Sequence, residues 1–270
     1  MNDSTTMTLE DLSAALSTMV ARFHLTTVPP DGAVPLSRLS DPEVCRALIA
    51  DHRAARSLDD AGIAKTKVVD QVAASLTVQG IAMHLSAIGI ASMVLHRTLP
   101  IAHADDVFVQ ADGIAFSVAI TDAVLPGPVD DPFELVDAFV THWIDGHLRS
   151  VVDAVRATTT IGEALVWGSV AATVSSNFVF LDWWERSDLS RRLAAVVLER
   201  GNPSLAAHCS MHDLEVDGRI GLRSDRRACC LAIKIPNGHV CPTCPMVTEH
   251  ERIASTAMHV GHLNAVLARR

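Results

Sequence analysis

Four cysteines near the end of the chain restrict its fold and chemistry more than any other feature of the sequence. The first two, Cys229 and Cys230, are adjacent. After ten further residues comes Cys241, and Cys244 follows after two more. Thiolates are soft ligands, which favour zinc or iron–sulfur clusters over hard cations. The spacing therefore predicts a loop near the C-terminus that is folded around a metal centre.

The adjacent pair distinguishes between two kinds of metal centre. Structural zinc sites usually separate their first two cysteines by two to four residues, so that both reach one tetrahedral ion. Neighbouring residues direct their side chains apart, which suits a larger group with two metal atoms. A [2Fe–2S] cluster held by four cysteines is such a group. The spacing favours this cluster, while a zinc knuckle and unligated thiols stay open as alternatives.

The segment around the cysteines resembles a known family. Residues 226–245 read R-R-A-C-C-L-A-I-K-I-P-N-G-H-V-C-P-T-C-P, which is similar to the C-terminal signature of the FhuF-type ferric siderophore reductases. Upstream, Leu165-Val-Trp-Gly-Ser-Val-Ala-Ala resembles a helix that precedes the cluster segment in that family. The chain departs from the family pattern at Ala232, where an aromatic residue is common, and at Ser169, where asparagine is expected.

This resemblance implies a cytoplasmic oxidoreductase with a [2Fe–2S] cofactor that acts on a ferric siderophore. One electron would convert siderophore-bound Fe(III) to Fe(II), and iron would then be released because oxygen donors hold the softer Fe(II) more weakly. The implied cluster ligands are four residues: Cys229, Cys230, Cys241 and Cys244. Two other functions stay open, namely a [2Fe–2S] redox or iron sensor that binds a partner, and a zinc-stabilised binding protein without redox activity.

The electron for this reaction is expected to come from a separate protein. The sequence contains no G-x-G-x-x-G after a predicted strand, no phosphate loop and no H-E-x-x-H, so nothing in it indicates a nicotinamide site. A one-electron centre needs a one-electron donor. We therefore expect a ferredoxin-like or flavin-containing partner.

Charge is distributed unevenly along the chain. The net charge of −9 argues against nucleic acid as a partner. Between residues 215 and 235, however, five basic residues stand against three acids, so positive charge lies next to the cysteines. We predict that four of these basic residues dock the siderophore or the electron donor: Arg223, Arg226, Arg227 and Lys234.

The N-terminal sequence and the hydropathy pattern indicate a cytoplasmic protein. No basic and apolar leader is recognisable at the N-terminus, and no stretch reaches the roughly 18 consecutive apolar residues of a spanning helix. A peripheral association with the membrane stays open. In the cytoplasm disulfides are rare, so the two remaining cysteines, Cys45 and Cys209, are predicted to be reduced structural thiols.

Histidines and tryptophans supply weaker candidates. His208, Cys209 and His212 lie within five residues, but no fourth ligand has a convincing spacing, so a loop is favoured over a metal site. His259 and His262 could share one face of a helix, and His239 could donate a hydrogen bond to the cluster. The four tryptophans are mainly core candidates, although an indole could also help to dock a flat chelate.

The fold class predicted from periodicity and turn signals is mainly α, of the α+β type. We expect a helical body with one small antiparallel hairpin over residues 107–118, and a C-terminal iron–sulfur cluster loop. Residues 1–212 would form the body, and residues 213–270 the cluster segment with a closing helix from Thr248 to Ala268. The other predicted helices cover residues 9–23, 65–76, 80–95, 131–148, 160 onward and 188–200, and one begins at Asp41-Pro42-Glu43.

Overall fold

A computed structural model describes residues 7–58, 67–185, 188–234 and 240–267. The protein is 61% helical with small antiparallel sheets, which confirms the predicted mainly α, α+β class. The helices are α1 (Leu9–Ser17), α2 (Pro42–Ala55), α3 (Lys67–His96), α4 (Val136–Ala138), α5 (Arg149–Thr158), α6 (Glu163–Glu185), α7 (Leu189–Arg200), α8 (Pro203–His208) and α9 (Glu249–Leu267). A π-helical segment, Phe139–Leu148, joins α4 to α5. Short 3-10 turns lie at Ala21–Phe23, Leu36–Ser40, Pro132–Leu135 and Ala232–Lys234.

Helices α3 and α6 form the centre of the body and pack against each other. Polar side chains connect the two: the Asn177 amide donates to the Met83 carbonyl and to the Ser86 hydroxyl, at 2.9 and 3.0 Å. Both helices are long and apolar enough to cross a membrane, with mean hydropathies of 1.6 and 1.5, but 72% of each apolar stretch is buried within the protein. Their apolar surface therefore builds the core described here.

Two predicted helices, 65–76 and 80–95, are one continuous helix, α3. The helix continues through Gly80. A side chain at this position would collide with the Phe116 ring, so glycine allows the hairpin to pack closely on the helix. Residues 65 and 66 lie outside the described part of the chain. Conversely, the predicted helix over residues 9–23 ends at Ser17, and a separate 3-10 turn follows from Ala21.

The predicted hairpin is present as part of a three-stranded antiparallel sheet in the order β1–β2–β3, where β1 is Val34–Pro35, β2 is Val107–Asp112 and β3 is Ala115–Ile120. Asp112 pairs with Ala115, so the turn is Gly113-Ile114. Gly113 has φ of 58°, which favours glycine.

The prediction of one small hairpin was wrong, because a second hairpin extends into the segment that was expected to supply the cluster loop and a closing helix. Strands β4 (Cys209–Val216) and β5 (Arg219–Arg226) pair through eight residues each. Their turn is Asp217-Gly218, with both residues at positive φ (53° and 75°), as a two-residue type I′ turn requires. The predicted domain boundary between residues 212 and 213 lies inside β4, and Leu222 of β5 belongs to the main core.

Helix α9 is fixed against this second hairpin. Arg223 donates to Asp225 and to Glu249 at 2.5 and 2.7 Å, and Arg252 of α9 donates to the same Asp225 at 3.1 Å. Val260 of α9 packs on Trp183 of α6 in a small separate cluster of buried residues. The predicted closing helix is therefore present from Glu249, and it is held by ion pairs and apolar packing together.

Candidate metal centre

The cysteine segment begins directly at the end of β5. The Arg226 amide donates to the Thr243 carbonyl at 3.4 Å, which connects the strand to the second cysteine pair. That pair lies in a tight turn, since the Cys244 amide donates to the Cys241 carbonyl at 3.0 Å. The contact between the end of β5 and Thr243 thus brings the two cysteine pairs, 229–230 and 241–244, close together although ten residues separate them in the sequence.

The four thiols affect one another electrostatically. Cys230 and Cys241 shift each other's pKa, and Cys241 and Cys229 both act on the pKa of Cys244. Cys230 and Cys244 are 5% and 3% exposed, whereas Cys229 and Cys241 are partly exposed. The four predicted ligands therefore lie in the same part of the structure, with Cys230, Cys241 and Cys244 acting on one another and Cys229 acting on Cys244.

The pKa values of Cys230 and Cys241 move in opposite directions. Hydrogen bonding to Cys241, followed by burial, raises the pKa of the Cys230 thiol, while hydrogen bonding to Cys230 lowers the pKa of Cys241 to about 5. Burial raises the pKa of Cys244. Since the thiolate is the form that ligates metal, Cys241 is the thiol of this group best prepared to bind.

Arg226 is a buried positive charge that acts on this pair. Its positive charge favours the thiolate form of both Cys230 and Cys241. It therefore opposes the rise in the pKa of Cys230 and adds to the fall in the pKa of Cys241. The side chain is only 3% exposed, and Nε donates to the Ala228 carbonyl at 2.6 Å while Nη2 donates to the Gly168 carbonyl at 3.4 Å. A buried guanidinium held in this way can compensate the negative charge of bound thiolates.

Helix α6 lies directly against the residue that precedes the first two cysteines. A Cβ at Gly168 would collide with the Cβ of Ala228, so the helix approaches this closely only because position 168 lacks a side chain. Ser169 faces the other way and shares a buried 3.0 Å hydrogen bond with Ser75. The Trp167-Gly168 stretch of the predicted helix therefore does contact the cysteine segment. The helix begins at Glu163, so Gly162 rather than Thr160 precedes it.

The predicted docking arginines have different surroundings. Arg223 is 6% exposed and paired with Asp225 and Glu249, so its role here is to hold α9. Arg226 is buried beside the thiols, as described above. Arg227 is exposed, with its Nη1 donating to the Ala207 carbonyl at 3.4 Å. The side chain of Lys234 lies outside the described part of the structure. Of the described members of this set, Arg227 is the exposed one.

The two cysteines outside the motif are buried thiols. Cys45 accepts a hydrogen bond from Thr158 at 3.3 Å, and Cys209 donates to the Leu205 carbonyl at 3.3 Å. Burial raises the pKa of Cys209 to about 11, so this thiol stays protonated at neutral pH. His212 is exposed and contacts Ser210 at 3.1 Å. His239 lies outside the described residues.

A cleft of about 590 Å³ adjoins the cysteines, and Cys241 forms part of its wall. One stripe of α6 forms a second wall, with residues at helical spacing that include Ser176, Phe180 and Trp184. On α9, His259 and His262 both face the cleft, as their spacing predicted. Small-molecule sites usually measure about 300–1,000 Å³, so the cleft is large enough for a chelate.

Three of the four tryptophans are core residues, as predicted. Trp143, Trp167 and Trp183 are at most 2% exposed, and the Trp183 indole donates to the Leu222 carbonyl at 2.7 Å. Trp184 is partly exposed in the cleft and stacks on Phe180 with ring centroids 5.4 Å apart. Trp183 also lines the cleft but is 1% exposed, so Trp184 is the more accessible of these two indoles.

Sequence reasoning missed Arg22, which contributes to the cleft from the turn after α1. Its guanidinium carbon lies 4.7 Å from the Phe180 ring centroid, at cation–π distance. No local sequence pattern connects residue 22 with residue 180, since their contact depends on how α1 ends and packs. A weak signal was available: Arg22 is a charged residue within an otherwise apolar run, Met19-Val20-Ala21 before it and Phe23 after it.

The donor set fits a [2Fe–2S] cluster by its chemistry. Such a cluster takes four thiolates, and this segment supplies four cysteines. Within the described ranges, no group of three or more His, Cys, Asp or Glu side chains is arranged to hold a metal ion, so the fit rests on the number and type of the donors. The four cysteines could thus hold a two-iron group, with Arg226 as the compensating charge.

In comparisons with known proteins, no family model and no curated protein matches this chain.

Proposed function

We propose that the protein is a ferric siderophore reductase that transfers one electron to siderophore-bound Fe(III) through a [2Fe–2S] cluster in the cytoplasm. The observation that carries this proposal is that Cys241, which interacts with Cys230 and Cys244, lies in the wall of a ligand-sized cleft. An electron-transfer group and an acceptor would be neighbours in this arrangement. The sequence similarity to FhuF-type reductases supports the same reading.

The proposed ligands are Cys229, Cys230, Cys241 and Cys244, and the bound cluster would supply one-electron chemistry. Cys241 has a special position because it belongs both to the thiol group and to the cleft wall. Arg226 lies beside Cys230 and Cys241 and also reaches the cleft. Its positive charge would stabilise the more negative, reduced form of the site and so raise its reduction potential.

Fe(II) release follows from ligand hardness. Siderophore oxygen donors bind Fe(III) strongly and Fe(II) weakly, so the protein needs to deliver only an electron and to admit a Fe(II) acceptor or water. The electron would come from a ferredoxin-like or flavin-containing donor. The exposed Arg227, at the end of β5, is the residue proposed to attract an acidic donor.

Anaerobic stopped-flow mixing tests the proposal. Protein reduced with dithionite and freed of excess reductant is mixed with a panel of ferric siderophores, and Fe(II) is trapped with a coloured chelator. We expect reoxidation of the protein and formation of Fe(II) in equal amounts with at least one siderophore. The Cys244→Ser variant should yield no Fe(II), because a thiolate ligand is lost.

Two alternative functions have different outcomes in the same experiment. A [2Fe–2S] sensor would be coloured and reducible but would form no Fe(II) with any ferric chelate. A zinc-stabilised binding protein would be colourless, would contain zinc, and would take up no electron from dithionite. Either result would contradict the proposed reductase.

A further inference from the structure

Leu231 has a backbone conformation that is unusual for a buried apolar residue. Among the described residues other than glycine, four have positive φ: Ser57, Arg97, Asp217 and Leu231. The first three are exposed polar residues that follow a helix or a strand, whereas Leu231, with φ of 65°, is 9% exposed and belongs to the main core. A left-handed conformation costs free energy in a residue with a Cβ atom. Such strain persists only where the surroundings fix it, and it is concentrated at functional sites.

The position of Leu231 connects this conformation with the thiols. Leu231 directly follows the adjacent cysteines, and its backbone N–H donates to Cys229 Sγ at 3.3 Å. The φ angle sets the direction of a side chain relative to the peptide plane that carries the N–H. The left-handed value therefore lets the amide face Cys229 while the side chain enters the core, and burial of the side chain offsets the backbone strain.

The second cysteine pair has a hydrogen bond at the same sequence spacing. The Thr243 hydroxyl, two residues after Cys241, donates to Cys241 Sγ at 3.9 Å. Cys229 and Cys241 are the two partly exposed thiols of the motif, so each of them has a donor two positions further along the chain. The Leu231 amide is the nearer of the two donors, and it belongs to the backbone, so rotation of a side chain does not remove it.

We propose that Leu231 is a positioning residue, which raises the reduction potential of the proposed [2Fe–2S] site by holding its amide against Cys229 Sγ. The inference rests on the proposed function, because it concerns the same four ligands. Hydrogen bonds to sulfur are one means by which a protein sets the potential of an iron–sulfur site. The N–H stabilises negative charge on the sulfur, and this charge is greater in the reduced form. Removal of the N–H should therefore favour the oxidised form and lower the potential.

Replacement of this one N–H by an ester oxygen tests the inference without changing a side chain. Chemical ligation requires a cysteine at the junction, and Cys229 supplies it, so a synthetic peptide of residues 229–270 can be joined to recombinant residues 1–228. The peptide carries leucic acid in place of Leu231. The full chain is reconstituted with iron and sulfide and compared with the all-amide chain made by the same route. We expect the equilibrium constant for one-electron reduction to fall about tenfold, which is a negative shift of about 59 mV in a redox titration.

Leucic acid in place of Leu263 is the matched control, because the same chemical exchange is then made within helix α9 and not beside a thiol. This control should have the potential of the all-amide chain. Two recombinant variants decide the question if the ester protein does not retain iron. Leu231→Gly keeps the amide but removes the side chain that holds it, so its potential should also be lower. Leu231→Met can fill a similar volume in the core and should match the wild type.

The potential separates this inference from the proposed activity. A wild-type potential in either the Leu231 ester variant or Leu231→Gly would overturn the inference and leave the reductase proposal standing, as would an equal shift in the Leu263 ester control. The expected shifts, without formation of Fe(II) from any ferric siderophore, would refute the reductase proposal and leave the inference standing. A protein that holds zinc and takes up no iron and sulfide would contradict both.

Discussion

Replacing Gly168 by alanine is expected to disturb the cysteine site from outside it. The new Cβ would collide with the Cβ of Ala228, one residue before Cys229. Overpacking of this kind costs about 1–3 kcal/mol, while alanine in a helix gains about 1 kcal/mol over glycine. The free energy of unfolding should therefore fall by up to about 2 kcal/mol. If Ala228 moves to relieve the collision, Cys229 and Cys230 will be displaced with it.

Gly261→Ala in α9 is the matched control, since a Cβ at that position meets nothing within 4 Å. This variant should gain about 1 kcal/mol from helix propensity alone. With about 2–4 °C per kcal/mol for a protein of this size class, Gly168→Ala should melt roughly 2–12 °C below the control. It should also lose iron on anaerobic gel filtration faster than the wild type.

The double variant Gly168→Ala/Ala228→Gly moves the methyl group from one side of the contact to the other. It should recover most of the lost stability and iron retention, because the collision is removed. Circular dichroism melts and iron analysis of the four proteins complete the test. If Gly168→Ala matches the Gly261 control in both measurements, helix α6 does not position the cysteines as argued.

Three further predictions follow from single residues. Cys230→Ser should lose the cluster, whereas Cys209→Ser should keep its full iron and sulfide content; the reverse result would refute the ligand assignment. Burial, with a smaller contribution from His142, lowers the pKa of His147 to about 4. As pH falls below about 6.5, the unfolded state therefore binds a proton at His147 before the folded state does. This residue should lower the free energy of unfolding by about 2 kcal/mol between pH 8 and pH 5. His147→Leu should flatten the pH dependence of the melting temperature, and an unchanged slope would contradict the burial argument. Arg227→Glu should slow electron uptake from an acidic donor at low salt. The difference in rate from wild type should become smaller near 1 M salt, where the Debye length is about 3 Å. A rate difference that does not depend on salt would exclude steering by this residue.

The helical body could be predicted from the sequence because its signals are local. Asp41 caps α2 through the Glu43 amide at 2.9 Å, as the Asp-Pro-Glu sequence indicates. Thr248 and Glu251 form a reciprocal capping box at the start of α9. The hairpin β4–β5 was missed although Asp217-Gly218 is a strong turn signal, because β5 is buried along most of its length and so does not alternate between apolar and polar residues.

The surroundings of the cysteines could not be predicted, since they depend on contacts between distant segments. From the cysteine motif alone, one can predict only that the four thiols belong to one metal centre. That Arg223 is an ion-pair anchor for α9 and Arg226 a buried charge follows only from the packing of the hairpin on α6. The contact of Arg22 with Phe180 also depends on packing between distant segments, because the two residues are 158 positions apart in the sequence.

The visible spectrum of anaerobically purified protein, taken together with its iron, zinc and labile sulfide content, tests the central claim most directly. The account predicts a red-brown protein with about two irons and two sulfides per chain, which bleaches when dithionite is added. One tightly bound zinc per chain and no visible absorbance would contradict it.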